Sequence, residues 1–268
     1  SSVFGSLSLV VSLVGRRGTM LRSSLVLGRA FFVAPTRQGF CRRPLSALTA
    51  KFEENALGNL RERLVLQYNS IGGGMKWTIK ETKHYANAMA SGLQELGLRP
   101  GHAIATRLKA ERPEKHCAFF AAMTLGMTLV SIDPAVDDPE VTRKILKEHQ
   151  CRVIYYDEPD IQHMEMAVPE FADFDATMCK PLVASGLPRL KYFVTIALDQ
   201  HAASQNFPYL LAHDRPLDDD INPNDDALLY VDYDSKGNPC KELTHLQALN
   251  QPFPYVAAVL DATPAVYE

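Results

Sequence analysis

No two cysteines in this chain are spaced for a metal or redox motif. The five, Cys41, Cys117, Cys151, Cys179 and Cys240, are far apart and odd in number. That spacing excludes a CxxC site and a disulfide framework, and it fits reduced thiols in a non-secreted protein. None of the eight histidines stands in an HExxH or similar spacing, so no metal site is expected. No internal repeat or low-complexity linker is visible. The apolar run at residues 3–14 is about a dozen residues long, short of the ~20 that a membrane-spanning helix needs. Lysine, aspartate and glutamate are all missing from residues 1–50, where seven arginines (16, 17, 22, 29, 37, 42 and 43) carry the whole charge. Subtracting them from the net charge of -3 leaves residues 51–268 at -10. That acidic body has no basic patch with interleaved aromatics, which excludes nucleic acid as a partner.

What the first fifty residues do contain is arginine and serine without acid, the composition of a mitochondrial presequence. Met20, followed by "LRSSLVLGRAFFVAPTRQGFCRRPLSA", reads as the start of one. At helical spacing Leu21, Leu25 and Leu27 fall near Phe31 and Phe32, with Arg22 and Arg29 on another face. This is the pattern of an amphipathic import helix. A secretory signal fits poorly, because no basic region precedes the apolar run and no A-x-A site follows it. Three segments follow: a basic extension at 1–50, an α/β domain at 51–250, and a Pro-containing tail at 251–268.

The body reads as alternating strands and helices. "ALGNLRERLVLQY" has helical periodicity, and Gly72–Gly74 supply a turn. Thr78 with Glu81 three residues later is a capping box. Gly97 and Pro100 close the helix it opens. "HAIATRLK" alternates as a strand, and "PEKHCAFFAAMTL" is a buried helix stopped by Gly126. "MTLVSIDP" is a buried strand, and Asp138-Pro139 opens a helix over "EVTRKILKEHQ". "CRVIYYD", "KYFVTIAL" and "DALLYVD" supply three further strands. Met164, Met166 and the acidic run Asp218–Asp220 read as loop residues. This alternation predicts a layered α/β domain with parallel strand pairing.

The order of segments resembles the early region of the adenylate-forming superfamily, notably the acyl-CoA synthetases. Its members share a W-T-Y-x-E-L helix, a G-x-x-x-G-D strand entry and a helix running into G-A-x-x-V-P-x-x-P. Trp77-Thr78, Gly97, Pro100-Gly101, Phe119-Phe120-Ala121-Ala122, Gly126 and Asp133-Pro134 stand at matching places. The similarity runs from about Asn55 to Asn250.

The resemblance implies a phosphate loop after a strand, [ST]-S-G-T-T-G-x-P-K-G, leading to a short strand that ends in T-H. "LLYVDYDSKGNPCKELTH", Leu228 to His245, occupies that place. Asp232, Asp234, Ser235, Gly237, Pro239 and Lys241 are its vestigial members. A phosphate cradle needs close backbone approach, free amides and hydroxyls. Here Asp232 and Asp234 fall in or beside the small/hydroxyl run, and only Ser235 keeps a hydroxyl. Cys240 stands near the usual lysine. Lys241 and His245 are expected to be solvated.

Resembling enzymes continue for roughly as many residues again, supplying an adenine-binding strand, a ribose-binding aspartate and a C-terminal domain with a lysine. "PFPYVAAVL" and the tail are expected to cover apolar surface of the body. No catalytic residue and no cofactor are assigned. The expectation is a non-catalytic accessory subunit of a mitochondrial inner-membrane assembly, such as ATP synthase or a respiratory complex. Its partners would be other subunits of that complex on the matrix side, with lipid contact through residues 1–40. The alternative is an acyl-CoA- or nucleotide-binding protein, or a ligase fragment that acts with a separate C-terminal domain.

Overall fold

The computed structural model describes residues 46–68, 75–175, 181–197, 202–212, 216–217 and 224–251, together with 253, 255–257 and 265–267. The presequence reading, the Gly72–Gly74 turn and Asp218–Asp220 lie outside the described residues. The described residues all belong to the unit that runs from residue 42 to the end.

Helix α1 (Ala47–Leu57) is opened by Ser46, whose hydroxyl accepts from the Thr49 amide, and it stops at Gly58, whose amide donates to the Glu54 carbonyl. The chain then leaves helical geometry. Strand β1 (Leu64–Tyr68) pairs antiparallel with β2 (Met75–Thr78). The helix expected across 56–68 is thus a helix end followed by a strand. Val65 and Leu66 are buried in that strand, and its partner β2 supplies backbone bonds that local periodicity does not reveal.

Helix α2 (Ile79–Glu95) begins with the expected capping box: the Thr78 hydroxyl accepts from the Glu81 amide, and the Glu81 carboxylate accepts from the Thr78 amide at 2.8 Å. Strand β3 (Ala103–Arg107) leads into α3 (Pro113–Leu125), which starts with proline and ends at Gly126 in the left-handed conformation (φ 66°) that a side chain resists. Strand β4 (Thr128–Ile132) is followed by α4 (Pro139–Glu148), where the Asp138 carboxylate accepts from the Glu140 amide. Strand β5 (Val153–Tyr156), helix α5 (Ile161–Ala167) and strands β6 (Tyr192–Thr195) and β7 (Gln205–Asn206) come next. Helix α6 (Phe207–Leu211), strands β8 (Leu228–Tyr233) and β9 (Pro239–Thr244), helix α7 (His245–Asn250) and strand β10 (Ala265–Tyr267) complete the order. Met164 and Met166 belong to α5, not to a loop; Met164 is fully buried and Met166 exposed.

Among the described residues, seven strands form one sheet in the order β7-β6-β5-β3-β4-β8-β9. All neighbours are parallel except β8 and β9, which form an antiparallel hairpin at the edge. A smaller sheet has the order β10-β1-β2. The large sheet is covered on both faces, so β3 and β5 carry continuous buried residues rather than an alternation. One face packs against Met89, Leu93, Phe119, Phe120, Leu210 and their neighbours. The other packs against Ile145, Leu146, Met164 and Phe171. Each such side chain contributes roughly 1.5–3 kcal/mol when fully withdrawn from water. Phe253, Tyr255 and Val256 of the tail are buried as well: the Phe253 ring lies 5.4 Å from Phe119 and 4.9 Å from Tyr230, centroid to centroid.

Candidate functional site

In an open parallel sheet, ligands gather at the carboxyl ends of the strands, where successive strands leave in opposite directions. Here that place is the end of β3, with β4 on one side and β5 on the other. Arg107, the last residue of β3, fills it with only 3% of its side chain exposed. Its guanidinium donates to the carbonyls of Pro134 (2.6 Å), Val136 (2.8 Å) and Asp133 (3.3 Å), and Nε lies 3.2 Å from the Asp160 carboxylate. Burial pushes the Asp160 carboxyl upward against the pull of that cation. Arg107 therefore ties the loop after β4 to the segment after β5, and the crevice is plugged from within.

Beside it stands the β8–β9 hairpin, where the sequence pattern places its vestigial phosphate loop. Asp232 pairs in register with Lys241, and Tyr233 with Pro239, so Cys240 is bulged out between them. The turn from Asp234 to Asn238 is closed on itself. One Asp234 carboxylate oxygen accepts from the amides of Lys236 and Asn238, each at 2.9 Å. The Asp234 amide donates to the Asn238 carbonyl, and the Gly237 amide to the Asp234 carbonyl. The Asn238 amide, with that of Lys236, holds the Asp234 carboxyl below the usual carboxylate range.

A phosphate seated here would need the amides that Asp234 already occupies, and it would meet the carboxylate itself. As built, the turn does not fit a polyphosphate. Asp234 thus acts chiefly by consuming donors, a role that charge counting alone does not show. Ser235 is exposed at the tip of the turn.

The remaining members point elsewhere. Lys241 Nζ lies 4.6 Å from the centroid of the Phe253 ring, a cation–π contact on the body and not a solvated position. The Cys240 thiol donates to the Asp232 carbonyl at 3.4 Å, and burial with Asp232 and Asp234 nearby pushes its pKa up, so it rests as the thiol and not as a nucleophilic thiolate. His245 is fully buried rather than solvated. Its Nδ1 lies 3.0 Å from the Ser46 hydroxyl, and burial lowers its pKa to about 4. Ser46, His245 and the nearby Asp225 have the residue types of a nucleophilic triad. Yet Ser46 is the buried cap of α1, and the Asp225 carboxylate is taken by the Ala47 amide at 2.7 Å. They form a structural tie between α1 and α7.

One residue at this end carries no local signal in the sequence. Lys115, in the first turn of α3, is 6% exposed and donates to the Leu108 carbonyl at 3.1 Å. Burial lowers its pKa, while Asp232, Asp133 and Glu111 favour its charge. Asp232 is thus within electrostatic reach of a buried amine contributed by a helix more than a hundred residues earlier. Burial, with Tyr255 and Asp232 nearby, pushes the Tyr230 hydroxyl far above its ordinary range. Among the described residues, no group of three or more His, Cys, Asp or Glu side chains could hold a metal, and no helix is long and apolar enough to cross a membrane.

The profile of the AMP-binding enzyme family matches residues 52–234. Solved structures share the fold. A putative long-chain-fatty-acid CoA ligase from Rhodopseudomonas palustris CGA009 is 16% identical with a TM-score of 0.57, covering 76% of this chain and 45% of its own. A fatty acyl CoA synthetase from Mycobacterium tuberculosis is 18% identical at 0.57, covering 82% and 43%. A luciferase-like enzyme from the mealworm Zophobas morio is 14% identical at 0.61, covering 83% and 54%. The chain thus spans less than half the length of the first two. No curated protein matches it by sequence.

Proposed function

Because the chain belongs to the AMP-binding enzyme family, we propose that it serves as the N-terminal part of an acyl-CoA-ligase-type unit and supplies the binding surface for an acyl-CoA or a nucleotide. The observation that carries this reading is the ordered match over residues 52–234, which takes in the sheet from β3 to β8 and the start of the edge hairpin. Relatives of the same fold extend over about twice the length covered here. Under this reading the ligand's phosphates are gripped by groups outside the closed turn 234–238, because that turn has no amides to spare at 236 and 238. Calorimetric titration of the purified chain with ATP–Mg, AMP and an acyl-CoA tests it. Saturable heat at micromolar concentration from any of the three supports the reading; no heat from all three sinks it.

A second reading is favoured by the Asp234 turn specifically. A fold whose phosphate turn is self-satisfied suits a non-catalytic accessory subunit, gripped by neighbouring proteins of a mitochondrial inner-membrane assembly such as ATP synthase or a respiratory complex. The acid-free, arginine-bearing residues 1–50 support import into that compartment. Cofractionation with detergent-solubilised inner-membrane complexes is the expected outcome. Migration as a free monomer in the same extract would count against it.

A further inference from the structure

The opposite end of the sheet holds a feature that neither reading uses. At the amino ends of β3, β4, β5 and β8 lies a cavity of about 430 Å³, lined by His102, Thr128, His149, Gln150, Arg152 and Arg189 among others. Glu148 is the one carboxylate in its lining. Neither Arg152 nor Arg189 makes an ion pair among the described residues, although both guanidinium groups face the same space.

The fold does not need these arginines where they stand. A helix carboxyl end attracts cations because its last carbonyls lack partners. At the end of α4, however, the carbonyls of Ile145, Leu146 and Lys147 already accept from the amides of His149, Cys151 and Gln150. The end of α2 is served by Arg99, which donates to the carbonyls of Gln94 and Leu98. Arg152 and Arg189 do neither task. Their backbone is nevertheless held firmly: the Arg152 amide donates to the Ala103 carbonyl, and the Arg152 carbonyl accepts from the amides of Lys191 and Tyr192.

Two neighbours sharpen the picture. Gln150 is the one non-glycine residue with positive φ (51°) among the described residues, at a position after a helix where glycine or asparagine is usual. It keeps a side-chain amide at the cavity wall at a conformational cost. His102 Nδ1 accepts from the Arg99 amide at 2.9 Å, which leaves Nε2 to carry the ring proton as a donor. Burial, and then Arg152, Arg189 and Arg99, keep this imidazole neutral at a lower pH than usual. The cavity therefore offers two unpaired guanidinium groups and neutral donors, with a net positive charge, and it is larger than a lone oxyanion requires.

We infer that this cavity binds a small phosphomonoester, its dianionic head between Arg152 and Arg189 with Gln150 and His102 as neutral donors. Guanidinium groups match phosphate oxygens in paired hydrogen bonds, and the volume leaves room for the organic group. The site lies at the far end of the strands from the 234–238 turn and from the Arg107 crevice, so a response to AMP that is lost in Arg189→Gln belongs here, and one that survives it belongs to the nucleotide reading.

The test uses the full 268-residue chain and phenyl phosphate as the probe, followed by calorimetry and by the His102 imidazole resonance. Saturable binding at millimolar concentration or below is expected, with a rise in the His102 pKa when the anion neutralises its neighbours. Arg189→Gln, an exposed and structurally mild change, should weaken binding roughly tenfold. Arg152→Gln should do the same while leaving the thermal midpoint near that of the parent. Lys236→Gln, at the hairpin turn, should leave binding unchanged. No saturable binding by the parent chain would overturn the assignment. So would binding that ignores both arginine substitutions, or binding lost with Lys236→Gln.

Discussion

Gly237 approaches Val141 so closely that a β-carbon on it would sit 2.1 Å from the valine Cγ1. The edge hairpin therefore lies down on α4, and the contact requires both the missing side chain and a φ of 74°. Gly237→Ala should destabilise the fold by at least about 2 kcal/mol, because an L-residue resists the left-handed region by roughly 1–2 kcal/mol before any clash is counted. In Gly237→Ala/Val141→Ala the clash is relieved and only the backbone cost should remain. Urea unfolding of the two single variants and the double variant reads this as a coupling. Simple additivity would mean that the hairpin does not rest on Val141 in solution.

The Asp234 carboxylate is what keeps the turn shut. Asp234→Ala should expose the amides of Lys236 and Asn238 and speed their hydrogen exchange roughly tenfold relative to the parent. Asp234→Asn keeps an acceptor oxygen and should change them little. If freed amides are all that the turn lacks, Asp234→Ala should also gain measurable pyrophosphate binding that the parent does not have. Equal exchange rates in all three proteins would remove the carboxylate from the explanation.

The parallel core was legible because its strands are short apolar runs bounded by strong punctuation: Gly126 after α3, Asp138-Pro139 before α4, Thr78 with Glu81 before α2. These signals act within a few residues, and the structure uses each of them. The misread places depend on distant partners. Leu64–Tyr68 becomes a strand because β2 and β10 flank it. Met164 is buried because α5 packs into the cluster around Phe171 and Ile145. At the site, the acids at 232 and 234 were visible in the sequence, but their actual roles were not. Asp234 binds amides of its own turn, and Asp232 is within electrostatic reach of Lys115. Nothing local to "PEKHCAFF" shows that its lysine ends beside a strand more than a hundred residues later. Arg107 likewise reads as one polar residue closing a strand until the loop after β4 folds over it.

Three buried histidines give the fold a characteristic acid response. Burial lowers His116 to about 3, and His163 and His245 to about 4. In the unfolded chain each titrates near its ordinary value of about 6.5. Between these limits the unfolded chain binds more protons than the native one, so stability rises with pH. The contribution is fully present above about 6.5 and is lost as pH falls towards 4. Urea midpoints measured from pH 7 to pH 4.5 should fall, with an uptake approaching three protons on unfolding near pH 5. His245→Asn should reduce that uptake by about one proton. Asp234 and Glu81, held low by amide bonds, lose their contributions at more acid pH. A flat profile between pH 7 and pH 5 would show that these imidazoles reach solvent in the native state.

Arg107 offers the sharpest test of whether the crevice at the carboxyl ends is a packed junction or a ligand site. Its guanidinium holds three carbonyls of the segment after β4 and faces the Asp160 carboxylate, which is 15% exposed. Arg107→Met keeps much of the bulk but removes every donor and leaves Asp160 without its cation. Breaking a buried pair in this way costs about 3–5 kcal/mol, so the variant should unfold at markedly lower urea. Asp160→Asn in the same background should recover part of the loss, since no buried charge is then left alone. Direct comparison of the single and double variants separates the two cases. If Arg107→Met is as stable as the parent, the guanidinium is not a structural plug, and the crevice at the end of β3 would be open to a ligand after all.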